Sequence, residues 1–132
     1  MSKTCCIQVK NDTDKPITIQ NCRCDGDIKF DCKAQTTVEP HKSYKCECTS
    51  EKCDCSKQSA GMEMVWNSNE GKCTVYFYMH EGNLGLSKDS YDHAKNQATS
   101  KGEKDLTCQN GLKVTTMSTN DGPVIRFQNQ TN

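Results

Sequence analysis

The residues with the most chemical potential are cysteines. The stretch Lys45-Cys46-Glu47-Cys48-Thr49-Ser50-Glu51-Lys52-Cys53-Asp54-Cys55-Ser56-Lys57 holds two Cys-x-Cys pairs, and Cys22 and Cys24 repeat that spacing. Thiolates bind soft metals, and thiols brought together under oxidising conditions form disulfides. The chain has 11 cysteines among 132 residues. That is about 8%, the range of disulfide scaffolds. The count is odd, so at least one thiol stays free, binds metal or pairs between chains, which allows a disulfide-linked homo-oligomer.

In a strand, residues two apart share a face. Cys46 and Cys48 therefore share one, as do Cys53 and Cys55. If residues 49–52 form a hairpin loop, Cys48 lies opposite Cys53 and Cys46 opposite Cys55. All four sulfurs would then sit on one side of one hairpin. Three readings follow. Cys-x-Cys repeats with interleaved Lys, Glu and Ser resemble metallothionein segments, which makes Cys46, Cys48, Cys53 and Cys55 the candidate metal set. A metallothionein, however, has almost no apolar residues, whereas this chain has clear strands. The preferred reading is disulfides without metal, drawn from Cys22, Cys24, Cys46, Cys48, Cys53 and Cys55. Directly cross-strand bridges are strained, so bridges from the hairpin to other strands, toward Cys22 and Cys24, are expected. The third reading treats some cysteines as small buried hydrophobes, best fitted by Cys73 and by Cys32 beside Phe30.

The elements that must position these groups are strands. Cys5, Ile7 and Val9 alternate, and so do Ile17 and Ile19. Ile28, Phe30 and Cys32 alternate after a turn at Asp25-Gly26. Asn11 to Pro16 reads as a turn. Met62, Met64 and Trp66 share a parity, and Asn67 to Gly71 breaks the run. Cys73-Thr74-Val75-Tyr76-Phe77-Tyr78 is the strongest strand. Leu112 to Thr115 and Val124 to Phe127 are the last two. Helical periodicity is confined to Ser90 to Ala98, with a stripe of Tyr91, Ala94 and Ala98. The pattern predicts an all-β fold: a compact antiparallel β-sandwich of about eight short strands, one domain over residues 1–132.

Composition narrows function. Seventeen basic and 17 acidic residues balance, so there is no basic excess to neutralise phosphates and no nucleic-acid partner is expected. No apolar run approaches the ~20 residues of a membrane-spanning helix. Met1 to Cys6 carries no apolar stretch of the secretory kind. The compartment is left open between non-classical release and storage in an intracellular inclusion. The histidines are His41, His80 and His93, without hydrolase, zinc-protease or phosphate-loop motifs. No enzyme activity and no cofactor are expected. A cysteine–histidine pair that meets only in space, and a small polar site at Asp89, Asp92 and His93, are the catalytic alternatives.

The order of elements resembles aegerolysins. The residues that carry this are Ile7-Gln8-Val9-Lys10-Asn11, Ile17-Thr18-Ile19-Gln20-Asn21 and the run from Gly61 through Trp66 to Gly71 and Tyr78. The loop Met79 to Ser87 and the terminal Leu112 to Thr116 add to it. The layout is most similar to the small component of bacterial binary insecticidal toxins, including Ser87 to Tyr91. The resemblance implies a β-sandwich that binds membrane lipid and acts with a larger pore-forming protein partner. Aromatic residues suit a headgroup region, so the membrane-binding candidates are Tyr78, Met79, Leu84, Leu86 and Tyr91. Two other classes stay open. One is a cysteine-rich structural or assembly protein of a crystal, spore or coat, cross-linked by disulfides. The other is a metal-thiolate binding protein.

Overall fold

A computed structural model describes residues 3–25, 30, 32–50, 53–69, 71–108 and 111–129. The expected turn at Asp25-Gly26 and the alternating Ile28 fall partly or wholly outside them, as do Glu51 and Lys52 of the expected hairpin loop and Glu70 of the break after Trp66.

Ten strands are assigned among these residues. They are β1 (Lys3–Asp12), β2 (Ile17–Asp25), β3 (Thr36–Val38), β4 (Ser43–Ser50), β5 (Ser59–Ser68), β6 (Gly71–His80) and β7 (Asn83–Ser87), then β8 (Lys104–Thr107), β9 (Leu112–Thr119) and β10 (Gly122–Asn129). One helix, α1 (Tyr91–Gln97), follows β7. The strands make two five-stranded sheets, ordered β4-β1-β10-β9-β8 and β3-β2-β5-β6-β7. The all-β sandwich is thus the observed architecture. One pair departs from the antiparallel pattern: β1 and β10 run parallel, with Val9 opposite Ile125. The first and last long strands meet in the middle of one sheet, which a hairpin could not achieve.

Period-two burial explains the layers. On β1, Cys5, Ile7 and Val9 are buried, and on β5 Ala60, Met62, Met64 and Trp66 are. On β6, Val75 and Phe77 point to the core between the sheets, while Tyr76 and Tyr78 point outward under α1. Phe127, Ile125, Leu112 and Val114 close the core from the other sheet. At one end, Trp66 Nε1 donates to the Thr13 hydroxyl at 2.8 Å, and that hydroxyl donates to Asn11 Oδ1 at 2.7 Å. Asn11 and Thr13 are fully buried. The expected turn from Asn11 to Pro16 is therefore held by its own buried polar residues, as low-dielectric burial requires.

Two expectations are corrected. The segment from Met79 to Ser87 is not a projecting loop. It is the tight β6–β7 hairpin, with His80 paired to Asn83 and positive φ at Glu81 (50°) and Gly82 (86°). Two successive positive φ angles suit a two-residue hairpin. Among the described residues, Cys53 and Cys55 lie in no strand, so no ladder pairs them with Cys46 and Cys48. The strand β4 instead lies along β1, with Cys5 opposite Cys48, Ile7 opposite Cys46 and Val9 opposite Tyr44. The apolar face of β1 matches that of β4, whereas Asp54, Ser56 and Lys57 make turn residues.

Candidate functional site: a cysteine cluster and an aromatic groove

The cysteines gather toward one end of the sandwich. Cys5 bonds Cys55, Cys32 bonds Cys46 and Cys48 bonds Cys53, while at the opposite end Cys73 bonds Cys108. All four bridges lie within the chain. Each of Cys46, Cys48, Cys53 and Cys55 is thus a disulfide cysteine, so the rival metal set on those four has no free thiol. Cys46 and Cys55 reach outside the segment, but not to Cys22 and Cys24. Those two are free thiols, as is Cys6. Cys32 and Cys73, read from sequence as small hydrophobes, are both bonded. Cys32 lies in the segment returning from Phe30 and supplies the partner that Cys22 was expected to be.

A β-bulge turns Cys22 and Cys24 inward. Between Ile19 and Asn21 the pairing of β2 with β5 slips by one residue, so that Cys22 faces Met62 and Cys24 faces Ala60. The extra residue reverses which parity faces the core. Without it Asn21 and Arg23 would continue the inward row of Ile17 and Ile19. Burial raises the Cys22 thiol to about 11, with Cys24 adding to the shift. Burial, then Glu47, raises Cys6.

The bulge also sets Arg23 on the outer face, where a second site forms. Arg23, Gly61, Tyr78 and Gly85 lie side by side across β2, β5, β6 and β7. Both glycines make room for α1. A Cβ on Gly85 would collide with the Ala94 carbonyl, and one on Gly61 would lie 3.0 Å from Tyr91 Cε1. The helix falls where its stripe predicted, with Ala94 and Ala98 packed on Tyr78; Ser90, not singled out in the sequence, caps it by accepting from His93 N–H at 3.0 Å. The Arg23 guanidinium lies 4.5 Å from the Tyr91 ring centre, and Lys95 Nζ lies 5.7 Å from that of Tyr78. Tyr76 meets Tyr91 edge to face at 5.2 Å. Arg23, Tyr78, Tyr91 and Lys95, with Cys22, Cys24 and Asp92, line an open groove of about 530 Å³. Burial first, then Glu63, raises the Tyr91 hydroxyl above its ordinary range. Among the described residues, neither Arg23 nor Lys95 is ion-paired with a carboxylate.

The membrane-binding candidates are placed differently from their expectation. Met79, Leu84 and Leu86 are buried between the sheets and Tyr78 is buried under α1. Hydrophobic burial holds them in place. Tyr91 alone is half-exposed, in the groove. Arg23 and Lys95 were not anticipated. The signal for Lys95 was its spacing of four from Tyr91 on a helix, which puts the two on one face.

The three histidines are engaged by oxygen groups: His41 by Asp14 at 3.2 Å, His80 by Ser59 at 2.7 Å and His93 by Ser87 at 2.7 Å. Asp89 also approaches His93, at 3.5 Å, but through the same Nδ1 that meets Ser87. A relay needs the hydroxyl and the carboxylate on opposite ring nitrogens.

No family model and no curated protein matches the sequence. Solved structures do. The chain is similar in fold to the lipid binding protein Nakanori. The likeness has a TM-score of 0.64 at 10% identity and covers 99% of this chain and 72% of that one. At that identity the likeness is one of fold, and it spans both sheets.

Proposed function

We propose that this chain is a membrane-lipid-binding protein that engages lipid headgroups through the Arg23–Tyr91–Lys95 groove and acts with a larger pore-forming partner as a toxin component. The observation that carries the reading is the end-to-end fold likeness to a lipid binding protein. The groove supplies the matching chemistry. Arg23 and Lys95 are exposed, and each stands over a tyrosine ring. A guanidinium and an ammonium donate N–H groups to phosphate oxygens, and the tyrosines suit the boundary between headgroup and acyl chain. Binding, rather than catalysis, is the activity proposed. The partner and the toxin role rest on the layout shared with small toxin components.

Sedimentation with vesicles tests it. The panel spans anionic phospholipid, sphingolipid and sterol mixtures. Binding is expected on at least one, weakened by Arg23→Ala and Lys95→Ala but not by Lys113→Ala on β9. Absence of binding across the panel, with and without candidate partner proteins, defeats the proposal. Retained binding in the Arg23→Ala/Lys95→Ala double variant removes the groove from it.

A further inference from the structure

One sulfur cluster joins a disulfide to a free thiol. The sulfurs of Cys22, Cys32 and Cys46 all lie within 4.8 Å of one another. They come from three places: β2, the segment after Phe30, and β4 of the opposite sheet. Cys24 lies two residues beyond Cys22 on the same inward face of β2. Its Sγ accepts the Phe30 backbone N–H at 3.3 Å.

We propose that Cys22, Cys24, Cys32 and Cys46 form a tetrathiolate site for one zinc ion when the Cys32–Cys46 bridge is reduced, so that disulfide and metal alternate at one place. The geometry suits it. Tetrahedral zinc with Zn–S bonds of ~2.3 Å sets its sulfurs roughly 3.8 Å apart. The sulfurs of Cys22, Cys32 and Cys46 are gathered within 4.8 Å of one another while Cys32 and Cys46 are bonded, so reduction has only to let that pair part. The amide donated to Cys24 is the kind of outer-shell hydrogen bond that supports a metal thiolate.

The steps balance. A dithiol reductant attacks the Cys32–Cys46 bond and leaves as its own cyclic disulfide, so two electrons and two protons pass to Cys32 and Cys46. Zinc then displaces one proton from each of the four thiols as four Zn–S bonds form. A small disulfide oxidant reverses this: it takes two electrons from Cys32 and Cys46 as their bridge reforms and is itself reduced to two thiols with protons from solvent, while Cys22 and Cys24 are reprotonated and zinc is released.

Neither Cys22 nor Cys24 belongs to a bridge, so Cys22→Ser and Cys24→Ser leave all four disulfides intact. The test reduces the protein with a dithiol, exchanges it into metal-free buffer and titrates it with zinc. Native mass spectrometry reads stoichiometry, and alkylation with peptide mapping reads which thiols zinc protects. One zinc per chain is expected, with residues 22, 24, 32 and 46 protected and Cys48, Cys53 and Cys55 labelled. Each serine variant should bind at least about tenfold more weakly, with Cys6→Ser unchanged. The unreduced protein should take up none. Equal affinity in Cys22→Ser and wild type, protection centred on Cys48, Cys53 and Cys55, or no zinc on the reduced chain would each overturn the site. Circular dichroism of the reduced chain, with and without zinc, checks that the fold persists under these conditions.

Discussion

Gly61 on β5 lies directly beneath Tyr91 of α1: a Cβ there would sit 3.0 Å from Tyr91 Cε1, 3.1 Å from Tyr78 Cδ2 and 3.2 Å from the Phe77 carbonyl oxygen. The helix rests on this shelf, so the missing side chain positions the groove. Gly61→Val forces Tyr91 away. It should destabilise the fold by about 1–3 kcal/mol, the usual cost of overpacking, and weaken vesicle binding more than its effect on stability explains. Denaturant midpoints and sedimentation read the two effects separately. An unchanged midpoint together with unchanged binding would show that Tyr91 is not held there.

The buried hairpin gives the opposite expectation. Leu84→Ser opens the core beside Phe77 and Leu86, and should cost about 2–5 kcal/mol. Its vesicle binding, measured below its unfolding midpoint, should match wild type. Selective loss of binding at intact stability would return Leu84 to the membrane surface.

The bridges should rank by the loop they close. Cys5–Cys55 spans 50 residues, Cys73–Cys108 spans 35 and Cys48–Cys53 spans 5. The chain-entropy relation gives about 4, about 4 and about 2 kcal/mol respectively. Paired serine variants, compared by denaturant midpoint, should lose stability in that order, with Cys48–Cys53 least. A short bridge that proves the most costly to remove would mean that packing, not chain entropy, dominates this end of the sandwich.

The Cys22 thiol should react late. In the oxidised protein its folded value lies near 11, above the ~8.5 of a free cysteine. Iodoacetamide labelling of Cys22 should therefore be slow at pH 8 and rise through pH 9 to 11, whereas in denaturant it rises near 8.5. The sign of the linkage follows. Below pH 8 the thiol is protonated in both states and pH has no effect through it. Above that, the unfolded chain ionises first and stability falls with rising pH. Rapid labelling of folded Cys22 at pH 8 would contradict its burial.

Much of this molecule was legible in its residues. The period-two runs at Cys5 to Val9, Met62 to Trp66 and Cys73 to Tyr78 fix inward and outward faces, because the strand geometry itself has period two. The helix Tyr91–Gln97 lies within the Ser90 to Ala98 stretch whose stripe announced it. Four of the six proposed disulfide cysteines, Cys46, Cys48, Cys53 and Cys55, are bonded. What local pattern could not supply was everything set at long range. The parallel contact of β1 with β10, and the antiparallel contact of β4 with β1, depend on which apolar faces meet across the chain. One extra residue at the β2 bulge exchanged the faces of Cys22 and Arg23, turning the first to the core and the second to solvent. Disulfide partners follow from that spatial meeting, since a bond needs Cα atoms about 4.4–6.8 Å apart and not a particular spacing in sequence. The candidate groove has the same origin: Arg23 and Lys95 are 72 positions apart, and only the packing of α1 on Gly61 and Gly85 brings them to one surface.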